Sequence, residues 1–391
     1  MSQLNVNAIR HTGASSDAIT LASDGTATAK ITNNLSNRNL IINGDMRIAQ
    51  RGTSSTSTGY QTIDRMYPYW TGTDEAFTVT QHALTSSDSG PWEKGFRYSL
   101  HVQNGNQTSG AGAGDVASIF QYSVEAQDLA TSGWLCTDPN SKLTFSFWIK
   151  SSVAQTFWGY VYNNDGGGDS FSYSTGACSA NTWKKVTVTI PGHADLAVNH
   201  DNGAGITIYL QTFMGGDRTT SGHTLNAWQS YSSSDRTPDT TSDWWTTDEA
   251  TLEVTGLQLE VGDTATDFEH RSYTDELARC QRYHYVHVDG DVQSVGIGTY
   301  SGTSTVYCHV PFPVTMRATP TMTVNSDGTN YWYVWYTNDT SNQEKGDNFA
   351  INGAHARGAI IKDPSASGTS GHGCYGRTSD ASAKISFSAE L

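Results

Sequence analysis

Apolar residues recur along most of this chain with a period of two. KLTFSFWIK, Lys142 to Lys150, sets Leu143, Phe145, Phe147 and Ile149 on one face. WKKVTVTI, Trp183 to Ile190, does the same with Val186, Val188 and Ile190. FRYSLHV (Phe96 to Val102), FWGYVY (Phe157 to Tyr162), ITIYLQTF (Ile206 to Phe213) and LEVTGLQLEVG (Leu252 to Gly262) are further short β-prone runs. Alternation of this kind predicts strands with one buried face. Gly- and Ser-rich stretches separate the runs, and helical periodicity is almost absent. The predicted fold is therefore all-β, with a two-sheet, jelly-roll-like β-sandwich over residues 37–271. NLIINGDMRIAQRG, Asn39 to Gly52, opens it: Leu40, Ile41, Ile42, Met46 and Ile48 predict a buried, strand-like start, and Asn43-Gly44 a turn. The long polar stretch from Gly215 to Asp243 holds Trp228 and reads as a functional or contact loop.

Three other parts complete the pattern. Residues 1–36 carry short alternations, LNVNAI and TATAKITN, and no aromatic precedes Tyr60. That is too little to bury a core, so this N-terminal attachment segment is expected to pair with another chain or dock onto a larger assembly. Residues 272–285 predict a short joint helix: Ser272 stands three positions before Asp275 in a capping-box pattern, and Leu277, Cys280 and His284 share a face. Residues 286–391 predict a C-terminal β-sandwich. Pro311, Pro313 and Pro320 punctuate its strands at ends and edges, YWYVWY (Tyr331 to Tyr336) is the densest aromatic cluster, and KISFSAEL closes with Ile385 and Phe387 on one face.

Composition narrows the class. Hydrophobic residues make up 36% and charged residues 16% of 391, but aromatics reach 11%, with 11 Trp and 19 Tyr, which excludes a disordered chain. No stretch approaches the roughly 20 apolar residues of a membrane span, so no membrane insertion is expected. The N-terminus lacks a basic-then-apolar leader. A net charge of −15 without any basic run argues against nucleic-acid binding. Cys136, Cys178, Cys280, Cys308 and Cys374 are odd in number and form no C-x-x-C pair, which predicts reduced, mostly buried thiols rather than zinc ligands. A folded surface that is polar but weakly charged, on a chain with no export signal, fits a particle that assembles in a cytoplasm and leaves by lysis.

The chemistry on offer is binding. Sugars are held by aromatic faces with a few placed polar groups. The candidates are Trp244 and Trp245, beside the polar loop, and Tyr331, Trp332, Tyr333 and Trp335. One face of YWYVWY is expected in the core and the other exposed or in an oligomer interface. Trp148 and Trp183 read as core. Nothing predicts an enzyme: G-x-S-x-G and H-E-x-x-H are absent, and no carboxylate pair stands out among 38 acidic residues. No cofactor is predicted. Calcium is the favoured candidate ion, ahead of a metal held by copies of His284 or His309 on a trimer axis, through NNDGGGD (Asn163 to Asp169) and HDNGAG (His200 to Gly205), though neither has EF-hand spacing and both read more simply as turns.

NLIINGDMRIAQRG followed by TIDRMYPYW resembles the opening of tail-fibre and related virion appendage proteins of tailed phages, particularly marine, cyanophage-like ones. LEVTGLQLEVGDTATDFEHRSYTDELARCQRYHY is similar to the sandwich-closing strand and joint helix of that group, and PFPVTMRATPTMTV to its C-terminal β module. NVNAIRHTGASSDAITL, Asn5 to Leu21, also resembles these virion proteins. The resemblance implies a homotrimeric structural appendage on the virion surface, with a carbohydrate-binding-like jelly roll. It implies host attachment, with glycans or lipopolysaccharide as receptor and another virion protein as partner of residues 1–36. Two other roles stand beside it: a capsid or tail decoration or connector protein with no receptor of its own, and a polysaccharide depolymerase. The acidic surface is expected to suit uncharged or cation-bridged glycans.

Overall fold

The computed structural model describes residues 6–10, 12–13, 17–21, 23, 27–29, 37–325, 333–336, 343–346 and 348–391. The chain is all-β, with only short helices. Two six-stranded antiparallel sheets make the sandwich. The first runs, in spatial order, Tyr69–Thr71, Val116–Glu125, Ala204–Met214, Gln155–Asn163, Asp169–Cys178, Trp228–Ser230. The second runs Ser54–Ser55, Thr78–Ala83, Tyr98–Gln103, Thr251–Val261, Lys142–Ser151, Lys184–Pro191. The chain crosses between sheets at most connections, so spatial neighbours are rarely sequence neighbours. Leu143, Phe145, Phe147 and Ile149 are buried on the inner face of the second sheet, as their alternation predicts. Phe120, Tyr173, Ile206, Ile208 and Leu210 meet them from the first.

NLIINGDM is buried but is not a strand. It is a strap of turns. Asn43 adopts a left-handed backbone (φ 61°) and its side chain bridges the Ile48 amide and the carbonyls of Ile48 and Asp64. Gly44 passes so close to Leu257 that a Cβ would lie 2.1 Å from its carbonyl oxygen. The Asn43 amide donates to Glu276 of the helix Tyr273–Gln281, and Arg271 donates to the Ile41 and Asn39 carbonyls. The first two segments that carry the resemblance thus pack on each other. The helix begins as predicted, with Ser272 Oγ accepting from the Asp275 amide at 3.1 Å.

The C-terminal region holds a three-stranded sheet, His284–Asp289, Lys384–Ser388, Thr321–Asn325. A seven-stranded sheet lies against it: Gln343–Gly346, Tyr333–Tyr336, Gly373–Thr378, Ser294–Tyr300, Val306–Pro311, Gly358–Asp363, Ala350–His355. Their shared core includes Ile385 and Phe387, on the face the sequence predicts. Near the N-terminus, Ala8–Ile9, Ile19–Leu21 and Ala27–Ala29 form a small sheet of their own, with Val6, Ile9 and Leu21 exposed. All five cysteines are free thiols, and four are buried.

A buried polar network joins sandwich and C-terminal region. The Arg65 side chain, 1% exposed, lies between the rings of Tyr122 (5.3 Å) and Tyr283 (3.5 Å), pairs with Glu390, and donates to the Ser123 carbonyl. Arg51 also reaches Glu390 at 3.0 Å. Arg282 and the Tyr283 hydroxyl both donate to Glu125. Burial pushes the neighbouring Asp64 carboxyl from 3.8 up to about 6, against the pull of Arg51 and Gln50. Burial would also raise Glu125, but hydrogen bonds from Arg282 and Tyr283 outweigh it and hold that group below its usual range.

These two carboxyls give stability opposite slopes. Asp64 contributes fully when protonated, below about 3.8, and its contribution is lost as pH rises through about 6. Glu125 contributes above its unfolded pKa and is lost as pH falls into the acid range. The Asp64 change corresponds to on the order of 3 kcal/mol. His101, His284 and His287, all held below the usual imidazole range by burial, pull the other way below about pH 6.5, so the Asp64 contribution is read as the difference in urea midpoint between the native chain and Asp64→Asn, which is expected to shift in the native chain's favour from pH 7 to pH 5. A difference between the two chains that stays constant from pH 7 to pH 5 would show that Asp64 stays ionised in the fold.

Candidate functional site

Inward alternation on the first sheet sends its other side chains outward. In Gln155–Asn163, Phe157 and Val161 are core, so Tyr160 and Tyr162 face away. In Ala204–Met214, Ile206, Ile208 and Leu210 are core, so Tyr209 faces away. The register sets Tyr160 directly opposite Tyr209, and their rings stack with centroids 4.3 Å apart and planes 13° from parallel. Gly159 makes the backing possible. A Cβ there would come within 2.3 Å of the Tyr173 ring, whose hydroxyl crosses beneath to donate to the Tyr209 carbonyl at 2.8 Å.

The loop after Ala204–Met214 walls this platform. Tyr231 meets Tyr162 edge-to-face at 5.0 Å and is held to the sheet by its amide on the Gly168 carbonyl. Arg236 and Arg218 come from the two arms of the loop, joined by the Arg236 amide on the Arg218 carbonyl at 2.9 Å. The buried imidazole of His223 ties the loop down, with Asp235 on one nitrogen and Ser172 on the other. Ser118, Gln121 and Tyr69 complete the floor, with Ser118 donating to Gln211. The result is a cleft of about 280 Å³. No acidic side chain lines it among the described residues. The Nε of Arg218 and of Arg236 are buried without a hydrogen-bond partner.

Burial fixes the protonation of the platform. It pushes the Tyr209 hydroxyl up to about 12, with Tyr231 adding to the rise, and Tyr160 further still, the Arg236 guanidinium working against it. Both stay neutral phenols, able to donate and to accept, across the physiological range. Flat aromatic faces, amides, hydroxyls and guanidinium donors in one shallow cleft are the components of saccharide recognition.

The aromatics singled out in the sequence lie elsewhere. Trp244 and Trp245 are fully buried, a correction to their expected role in contact with a ligand. They sit in a single helical turn, Asp243–Thr246, that plugs the sandwich. Asn104 caps both their carbonyls, Phe77 packs edge-on against both rings, and Trp245 Nε1 donates to the Gly110 carbonyl. Tyr333 and Trp335 are core residues of the C-terminal region, Trp335 Nε1 donating to Asp363 at 2.9 Å. The opposite face of that strand is also covered, since Val334 and Tyr336 are buried and Tyr336 stacks on Tyr375 at 4.8 Å. Tyr331 and Trp332 lie outside the described residues.

Trp148 and Trp183, expected in the core, are instead partly exposed on the outside of the second sheet. Trp183 donates to Asp88 and lies under the Lys150 ammonium. Trp148 helps to line a cleft of about 530 Å³ with Phe96, Phe268 and His270. The three rings beside it are spent on one another, at 4.8 to 5.3 Å, and Lys94 pairs with Asp267 at its edge. Unlike the tyrosine cleft, it is lined by acidic side chains, Glu93 and Asp267, and by no arginine. In the candidate calcium loops, Asp165 accepts from Asn199 and Asp201 from the Gly203 amide, so both carboxylates close turns. Among the described residues, no three His, Cys, Asp or Glu side chains gather as a metal site.

The fold and its cleft define an all-β sandwich protein with an aromatic groove on one sheet. No protein-family model matches the chain, and no curated protein sequence matches it. Solved structures are similar in part. The enzymatically active domain of tailspike protein 4 of bacteriophage CBA120 is 11% identical over 57% of this chain and 21% of its own, with a TM-score of 0.30. This chain thus spans about a fifth of that one. The tandem CBM22 domains of Paenibacillus barcinonensis Xyn10C are 11% identical over 92% of this chain and all of theirs, with a TM-score of 0.28. A family 11 carbohydrate-binding module from Clostridium thermocellum is 13% identical over 56% and 98%, with a TM-score of 0.25.

Proposed function

We propose that this chain is a structural appendage protein of a phage-like virion and that its tyrosine cleft binds a glycan of the host surface. The observation that carries this reading is the Tyr160–Tyr209 platform, backed by the sheet and walled by Tyr231, Arg218 and Arg236. A sugar ring laid against the half-buried rings of Tyr209 and Tyr231, with Tyr160 stacked behind Tyr209, buries its C–H face, while Gln121 and the guanidinium groups answer its hydroxyls. The virion setting rests on the resemblance of the strap, the joint helix and the C-terminal module to tail-fibre proteins. In this reading residues 1–36 engage another virion protein and the chain assembles as a homotrimer. Weak single-site affinity is then multiplied by avidity.

The test is retention of the purified full chain on an array of bacterial surface glycans and lipopolysaccharides, with light scattering for its mass. The expected result is selective retention by a trimer. No retention of any glycan would leave a decoration or connector protein as the better account. Release of reducing ends from a bound polysaccharide would replace the binding role with depolymerase activity.

A further inference from the structure

We infer that the ligand of the tyrosine cleft is an acidic saccharide, whose anionic oxygens are held by Arg218 and Arg236; this rests on the glycan-binding reading above. The whole chain carries 38 acidic residues against 23 basic ones, which by itself favours neutral ligands. The cleft inverts that balance. Its lining holds two guanidinium groups and no carboxylate among the described residues. Three arginines elsewhere in the fold are matched by carboxylates: Arg65 with Glu390, Arg271 with Glu269 and Glu276, Arg282 with Glu125. Arg218 and Arg236 have no carboxylate within ion-pair distance among the described residues, and the Nε–H of each is buried and unpartnered. A guanidinium so placed presents planar, paired donors in a weakly screened site, the geometry that takes a carboxylate or a sulfate or phosphate ester in two parallel hydrogen bonds. Neutral hydroxyls satisfy the same donors less well, because charge-assisted bonds are about twice as strong. The two arginines descend from opposite arms of one loop, tied together by the Arg236–Arg218 backbone bond, so the main-chain positions from which both side chains start are set before any ligand arrives.

The experiment is isothermal titration of the full chain with four probes: a galacturonate trimer, its methyl ester, a sulfated galactan oligosaccharide and the same oligosaccharide desulfated. At least one acidic probe is expected to bind about tenfold or more tighter than its neutral partner. That preference is expected to shrink with added salt and to vanish in Arg218→Gln and Arg236→Gln, with unchanged thermal melting as the control for folding. The uronate and sulfate arms tell which anion the cleft prefers. Equal binding of acidic and neutral probes, lost in Tyr209→Ala, overturns the inference and leaves the glycan-binding reading in place. Acidic binding that survives both arginine substitutions also overturns it. Binding of none of the four overturns it for these two anion classes, and failure on the surface-glycan array as well removes the reading on which it rests.

Discussion

Replacing Arg65 with methionine is expected to destabilise the chain by roughly 3–5 kcal/mol, the cost of breaking a buried ion pair from one side. Methionine keeps much of the packing between Tyr122 and Tyr283 but leaves Glu390 facing the sandwich with only Arg51 to neutralise it. It also leaves the Ser123 carbonyl without the donor it has from Arg65. The residue adopts a left-handed backbone (φ 72°), which costs energy for a long side chain such as arginine and equally for methionine, so this strain is common to both chains and does not enter the difference. Urea unfolding at constant slope is the measurement. Adding Glu390→Gln to Arg65→Met is expected to recover part of the loss, since it removes the stranded charge, and the double-mutant cycle reads the coupling. A loss below about 1 kcal/mol, the range of exposed pairs, would show that water reaches the network and that the two regions are loosely docked.

Tyr209→Ala is expected to weaken glycan binding by about 30-fold while leaving the fold intact, the behaviour of a central aromatic anchor worth on the order of 2 kcal/mol. The prediction is sharp because Tyr209 faces outward. Truncating it removes the platform face but keeps the backbone carbonyl that Tyr173 uses. Tyr209→Phe is expected to bind nearly as the native chain does if the ring face dominates, and measurably worse if the hydroxyl does. Trp245→Ala supplies the contrast. It empties a fully buried site packed on Phe77 and Phe213, and is expected to cost about 3–5 kcal/mol of stability. Calorimetric titration and thermal melting on the same variants separate the two outcomes. Full binding by a folded Tyr209→Ala chain would move the site off this sheet.

Much of the sandwich was legible because alternation is a local signal. The strands around Phe145, Val188, Ile208 and Val254 all follow from it, and the Ser272 cap marked the helix. The strand Asp169–Cys178 carries only a weak form of this signal, with Phe171 and Tyr173 as its two core rings. Its sequence DSFSYSTGAC alternates aromatic with serine, and those serines are themselves covered by the loop that carries Arg236. The strap around Asn43 read as a strand because its apolar residues are buried, whereas its backbone is bent by side-chain-to-main-chain bonds that no periodicity reports.

The site was hidden for a different reason. Trp244 and Trp245 drew notice as large rings next to a polar loop, yet the larger the ring, the more it gains by burial. The tyrosines had a signal: with Phe157 and Val161 turned inward, Tyr160 and Tyr162 must point out. What sequence alone lacks is the register that brings Tyr209 opposite Tyr160, and the loop closure that lowers two arginines onto them.

The strand Val116–Glu125 runs through both places. Ser118 and Gln121 lie in the floor of the cleft, and Tyr122, Ser123 and Glu125 at its other end belong to the network around Arg65 and Arg282. A tether pulling on a ligand in the cleft therefore loads this strand lengthwise. Its long antiparallel ladder with Ala204–Met214 carries the load as shear across many bonds at once, instead of opening them one by one like a zip. The same pull arrives at the junction as tension on ionic and aromatic contacts. On the proposed attachment role, the pull of a tethered particle would run along this ladder and into the junction.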